Sequence, residues 1–169
     1  TTLLSMVDAT IGGKLGFNFN GIKNSIGLFQ NPQVVWIDTF FLKTLPKDEI
    51  LSGWAEMLKH SLIADKELWQ QLIQIDVQNE NSVSLNLMLA ALKIKMNIVL
   101  KDPFEKGERK KLNLGHTIGH ALESVSIKNH GHLPHGCAVG IGILTESYLA
   151  VQKGFFPEKD FDALCDYLW

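Results

Sequence analysis

Apolar residues recur at helical spacing along most of this chain. Leu51, Trp54, Ala55, Leu58 and Leu62 form one stripe, predicting a helix over about 47–64 that opens near Pro46 and Asp48. Leu85, Met88, Leu92, Met96 and Val99 predict a second over about 82–101. It closes at Asp102-Pro103, because the residue before a proline disfavours the helical region. Two more helices are predicted over about 110–126 and from Pro134 to Gly154, where glycine suits the left-handed position just past a helix. Val34-Val35-Trp36-Ile37-Asp38, entered through Asn31-Pro32, reads as a short buried strand. Gly12, Gly13, Gly16, Gly21 and Gly27 lie among lysines and asparagines and predict tight turns in a loop or hairpin, where backbone and lysine can approach an anion. Gly53 is expected to start a helix.

The opening run Thr1-Thr2-Leu3-Leu4-Ser5-Met6-Val7 reads as buried strand or helix, and the close, 160–169, as an amphipathic stretch. On that pattern the chain is expected to be an excerpt of a longer polypeptide. The fold class is mainly α: a helical domain over 46–169 behind a small glycine-rich, β-containing segment over 1–45. No internal repeat or low-complexity segment interrupts it.

Composition narrows the function without naming it. The 169 residues are 46% hydrophobic and 20% charged, enough for a sizeable core. A net charge of −2 gives no electrostatic footprint for nucleic acid. No apolar run reaches the roughly 18 residues of a membrane span, and the start has no basic region of a secretory signal. Cys137 and Cys165 make neither a disulfide framework nor a CxxC site, so a reducing cytoplasm is expected and both read as small apolar fillers. Arg109 is the one arginine; every other strong cation is lysine.

The chemistry concentrates in Gly115-His116-Thr117-Ile118-Gly119-His120. Histidines four apart share a helix face, with Asn113 expected on the same face. Each flanking glycine costs a helix about 1 kcal/mol relative to alanine and calls for a close approach. A third histidine near a later helix start, with the helical carboxylate Glu56, makes up the ligand set of a catalytic divalent metal. Spacing alone does not choose among His130, His132 and His135, although a helix start keeps the last neutral and fit to ligate.

Glu56 is expected on the face opposite the apolar stripe, with Lys59 one turn on, where a weak surface pair is the plainer account. Lys95 falls within an apolar stripe, where burial of an isolated charge costs several kcal/mol unless it faces a pocket. Arg109 offers a planar fork for a carboxylate or phosphate, though its charged surroundings would suit a solvated loop equally. Asp8, Lys14, Lys23 and Asn24 sit around the glycine turns and suit an anionic or polyhydroxylated ligand.

These pieces, in order, resemble the 3-dehydroquinate synthase family of sugar-phosphate cyclases. The resemblance rests on Val7-Asp8-Ala9-Thr10-Ile11-Gly12-Gly13-Lys14, Gly21-Ile22-Lys23-Asn24, Phe41-Leu42-Lys43-Thr44-Leu45-Pro46, Gly53-Trp54-Ala55-Glu56-Met57-Leu58-Lys59, Leu112-Asn113-Leu114-Gly115-His116 with His120, and His135-Gly136 with Ala138-Val139. It implies the helical C-terminal domain of a two-domain α/β plus α enzyme of the shikimate pathway, without its N-terminal nucleotide-binding domain and inactive alone. It implies zinc or cobalt on Glu56, His116 and His135. Asp8, Lys14, Asn24, Lys59, Lys95, Arg109, Asn113 and His120 would face 3-deoxy-D-arabino-heptulosonate 7-phosphate. Thr1, Thr2, Lys14, Lys23, Phe41, Leu42, Lys43 and Thr44 would touch NAD.

A homodimer is also implied. Cys137 stands where the family usually has glutamate. The rivals are a 2-deoxy-scyllo-inosose synthase-like cyclase, a metal- and NAD-dependent polyol dehydrogenase, or a non-catalytic metal-binding or dimerisation domain.

Overall fold

The computed structural model of the chain describes residues 2–19, 22–77, 79 and 82–168, with backbone alone at Asn18 and 22–24. A hairpin, β1 (Lys14–Phe19) and β2 (Ile22–Phe29), precedes α1 (Lys47–Ala64), α2 (Lys66–Leu72), α3 (Leu85–Lys101), α4 (His116–Lys128), α5 (His135–Gln152) and α6 (Glu158–Leu168). The fold class is mainly α, as the spacing of apolar residues predicts. Among the described residues no helix is long and apolar enough to cross a membrane.

The opening run is helical and ends in a π-turn, Ser5–Ala9. Thr2 Oγ1 accepts the Ser5 amide at 3.2 Å and so caps it. Leu3, Met6 and Val7 are buried against α1. Gly53 admits them. It lies within α1 rather than at its start, and a Cβ there would sit 2.4 Å from Leu3 Cγ and 2.6 Å from the Leu4 nitrogen.

Ten consecutive α1 residues, Ser52 to Ser61, are buried, so this helix has no solvent face over its middle turns. That overturns the expectation that Glu56 lies on an exposed face; it is fully buried. A stripe count misleads when neighbours pack on every side. Trp54 Nε1 donates to Tyr167 Oη at 2.8 Å, and Tyr167 donates on to the Ile75 carbonyl at 2.9 Å, tying α6 to α1 and to the loop after α2.

The hairpin pairs Leu15 with Leu28 and Phe17 with Ile26, and its register shifts at Asn18. These four side chains lie on one exposed apolar face. Phe29, paired with Lys14, looks the other way and meets the Phe104 ring edge-on at 5.6 Å. The strand expected over 34–38 is not formed. The segment forms no regular element and pairs with no strand among the described residues, and Trp36 is 91% exposed. High β-propensity without a neighbouring strand does not make a ladder.

The helix expected over 110–126 is broken in two. A 3-10 turn, Glu108–Asn113, is followed by Gly115 at φ 77°, and only then does α4 begin. Here α4 and α5 come closest. A Cβ on Gly142 would lie 1.9 Å from the Gly115 oxygen, and one on Gly115 would lie 2.8 Å from the Val139 oxygen. The two glycines let backbone pack on backbone. Gly154, at φ 73°, follows α5 as expected. Cys137 is exposed, which corrects its reading as a small apolar filler, and Cys165 is half-buried.

Gly142→Ala is expected to lower stability by about 1–3 kcal/mol through overpacking, although alanine is the better helix former by about 1 kcal/mol. Urea denaturation at unchanged m-value checks it.

Candidate metal centre and active site

His116 is the first residue of α4 and His135 the first of α5. Packing these helices together places both rings over the middle of α1. His116 Nε2 lies 3.5 Å and His135 Nε2 3.4 Å from the same atom, Glu56 Oε1. Each ring is fixed from behind by an acceptor. His116 Nδ1 is 3.2 Å from the Leu114 carbonyl, and His135 Nδ1 is 3.0 Å from Glu123 Oε1. Acceptors there require Nδ1 to carry the proton, which leaves both Nε2 lone pairs directed at a carboxylate oxygen.

Three electron pairs converging on one point repel unless a cation, a proton or a metal ion, sits among them. Two imidazoles and a carboxylate are the donors of a catalytic zinc site, and the partial exposure of both rings keeps a coordination position open. The residues present therefore fit the implied metal. Of the three histidines that spacing left open, His130 and His132 are exposed and stand outside this group.

Asp8, Glu56 and His60 also bring ligand atoms together. That group already has its cations. Lys59 pairs with Glu56 Oε2 and lies 3.8 Å from Asp8 Oδ1, while Lys95 lies 2.9 Å from the same oxygen and donates to the Asp8 carbonyl. His60 Nε2 meets Asp8 Oδ1 at 3.1 Å. Burial alone would raise the Asp8 carboxyl, but the His60 hydrogen bond and the Lys59 and Lys95 charges outweigh it and hold it well below its usual range. Burial would raise Glu56 too; Lys59 chiefly, with His135 and His116, brings it below its usual range despite Asp8. Burial lowers His60 and Lys95, and Asp8 partly opposes both shifts.

One connected network thus joins Asp8, Glu56, Lys59, Lys95, His116 and His135. The His120 ring abuts His116 edge-on, centroids 5.1 Å apart. Asn113 belongs to the preceding turn rather than to the histidine face of α4. It donates to Glu105 Oε1 at 2.7 Å, and Lys14 pairs with the other Glu105 oxygen. Glu105, at φ 57°, is a functional candidate that sequence reasoning missed. A non-glycine residue held left-handed between two polar partners is its only mark, and that mark is invisible in one dimension.

Arg109 is buried rather than solvated. Its guanidinium donates to the Gly12 carbonyl at 2.8 Å and the Pro103 carbonyl at 2.7 Å. The turn before it is held by Asp102, whose carboxylate accepts the amides of Gly107 at 2.7 Å, Lys106 at 2.9 Å and Arg109 at 3.0 Å. These bonds, Gly107's first, hold Asp102 below the ordinary carboxylate range. Leu42 and Lys43 line a separate cleft of about 790 Å³ with Lys47, Asp48 and Ile50. Thr1 and the side chains of Lys23 and Asn24 lie outside the described residues.

Residues 53–169 match the family model described as 3-dehydroquinate synthase C-terminal, and residues 1–52 the one described as 3-dehydroquinate synthase N-terminal. The 3-dehydroquinate synthase of Parabacteroides distasonis is 45% identical over 169 residues, which are 99% of this chain and 48% of that protein. That of Streptococcus pyogenes serotype M6 is 44% identical over 164 residues, 97% and 45% respectively. The chain spans about half the length of the curated relatives it matches.

A solved 2-deoxy-scyllo-inosose synthase, complexed with carbaglucose-6-phosphate, NAD+ and Co2+, superposes with a TM-score of 0.85 at 27% identity. The 2-epi-5-epi-valiolone synthase of Streptomyces hygroscopicus subsp. jinggangensis, with NAD+ and Zn2+ bound, gives 0.82 at 28%. Each alignment covers 99% of this chain and 47% of the other.

The Asp102 turn has a definite pH signature. Its carboxyl titrates lower in the folded chain than unfolded, so its stabilisation is full above the ordinary value of 3.8 and fades as pH falls through the lower folded value. Asp102→Ala is expected to melt below wild type at neutral pH, the gap closing well below pH 3.8; melting curves across that range check it.

Proposed function

The chain belongs to the 3-dehydroquinate synthase family, and we propose that it carries the metal- and substrate-binding half of an enzyme making 3-dehydroquinate and phosphate from 3-deoxy-D-arabino-heptulosonate 7-phosphate. The observation that carries this reading is the convergence of Glu56, His116 and His135 beside the buried Lys59–Asp8–Lys95 cluster. The curated relatives bear that enzyme's name.

Glu56, His116 and His135 would hold zinc or cobalt, which lowers the barrier to deprotonating neighbouring substrate hydroxyls. NAD, when bound, supplies reversible oxidation of one carbinol, acidifying the adjacent C–H so that phosphate leaves, with no net consumption. The chain's own groups bind and orient. Lys59 and Lys95 present buried ammonium groups to anionic oxygens, and Asp8 holds both in place, so little reorganisation is needed as charge develops. Lys14 and Asn113 approach substrate from the other side of Glu105, and His120 approaches from beside His116. Phe41, Leu42, Lys43 and Thr44, with Thr1, Thr2, Lys14 and Lys23, serve NAD; Asn24 serves the substrate's anionic ends, as does Arg109 once it leaves the Gly12 and Pro103 carbonyls. Residues 1–45 would form the NAD- and substrate-contacting segment and 46–169 the metal-binding domain, within a cytoplasmic homodimer.

A second reading is a sugar-phosphate cyclase for a substrate without a carboxylate. Arg109 favours it, because both its terminal guanidinium nitrogens already donate to backbone, to the Pro103 and Gly12 carbonyls.

Elemental analysis of the chain is expected to find about one zinc or cobalt, lost in both His116→Ala and His135→Ala; a wild-type chain without metal argues against the site. Glu123→Ala is expected to weaken metal binding by roughly 10–100-fold by removing the acceptor behind His135. The chain alone is expected to release no phosphate. A chimera in which it replaces the matching part of the Parabacteroides distasonis enzyme should do so from the heptulosonate phosphate and not from glucose 6-phosphate. Release from glucose 6-phosphate alone would select the second reading. Lys95→Met in that chimera should lower kcat by on the order of 100-fold or more.

A further inference from the structure

The helix that carries His116 does not cap itself. Its N-cap is Gly115, which has no side chain to accept an amide, and the structure shows no side-chain cap within α4. Glycine is obligatory there: φ is 77°, and a Cβ would meet Ile143 Cγ1 at 2.7 Å. The acceptor comes instead from the neighbouring helix. Glu146 on α5, one turn beyond the Gly142 contact, reaches across and takes the Gly115 amide on Oε2 at 2.9 Å. Its other oxygen, Oε1, is buried without a hydrogen-bond partner, so this carboxylate is held in place at a desolvation cost for a single bond. A negative group at a helix N-terminus is electrostatically favoured wherever in the chain it originates.

We propose that Glu146 is a positioning residue for the metal centre, capping α4 from α5 and thereby fixing where His116 points. The His116 ring is oriented through Leu114, the residue just before the capped glycine, so the Leu114–Gly115–His116 turn sets the direction of Nε2. The arrangement is reciprocal. Glu123 on α4 holds the first residue of α5, His135, and Glu146 on α5 holds the turn that opens α4. Each helix of the pair secures the start of the other, and each start carries one metal-facing imidazole. This role rests on the metal reading above.

The test compares Glu146→Ala, Glu146→Asp and Glu146→Gln with Asp65→Ala, which removes the cap of α2 by losing the 2.9 Å bond to the Leu68 amide. Two quantities are read: Zn2+ and Co2+ affinity, with the visible spectrum of the Co2+ form, and amide exchange at Gly115 and His116 in metal-free chain. Glu146→Ala is expected to bind metal roughly 10–100-fold more weakly with a changed Co2+ spectrum, as for loss of a group that orients a ligand. Glu146→Gln, which keeps an acceptor, should stay near wild type, and Asp65→Ala should bind normally. Should Glu146→Ala fail to fold, Glu146→Asp, too short to reach the amide, carries the same expectation.

Normal metal binding in the folded Glu146→Ala or Glu146→Asp variant overturns the proposal, as does equal weakening in Asp65→Ala. If wild-type chain binds no metal, the metal reading and the positioning role fail together. Faster exchange at Gly115 in Glu146→Ala would still establish the cap.

Discussion

The structure is organised around ionised groups kept inside α1. Glu56 and Lys59 lie on a stretch with no solvent face, and buried charge survives only when partnered. Lys59 meets Glu56 directly, but neither is satisfied by the other alone. Asp8 must come in from the opening helix to share Lys59, Lys95 must come in from α3 to balance Asp8, and two imidazoles close on Glu56 from α4 and α5 with room for a proton or metal ion among them. Each of these elements brings a polar group to α1. Misplacing one would strand a charge, so the same demand that shapes the fold assembles the site.

Close helix packing makes this possible. Gly53 lets the Leu3 segment rest on α1, which brings Asp8 within reach of Lys59. Gly115 and Gly142 let α4 and α5 approach backbone to backbone, which sets their first residues side by side over Glu56. The glycines flanking His116 and His120 are thus spacers between elements rather than points of access for a ligand.

Much of this was legible in one dimension, and the limits are instructive. The α1 boundaries follow from the stripe and Pro46 because a long amphipathic period needs no tertiary knowledge. Lys95 is conspicuous because lysine in an apolar stripe contradicts its surroundings. Burial of Glu56 was not legible, since the helix is covered on sides where its sequence reads polar. The split between the 3-10 turn and α4 was missed because Gly115 reads as a mid-helix glycine until its partner Gly142 is in place. Glu105, Glu123 and Glu146 draw their significance from residues 8 to 91 positions away, such as Lys14 beside Glu105, so no local pattern could mark them. The 34–38 segment shows the converse: its propensity was clear, but a strand needs a neighbour.

The chain's only guanidinium is locked inside, between the Gly12 and Pro103 carbonyls, while all its other strong cations are ammonium groups. Dicarbonyl reagents that modify arginine therefore find no target on the native surface. Their reaction would report each excursion in which the Gly12 turn lifts off the α3–α4 connection, making Arg109 a built-in chemical clock for the opening of that part of the molecule.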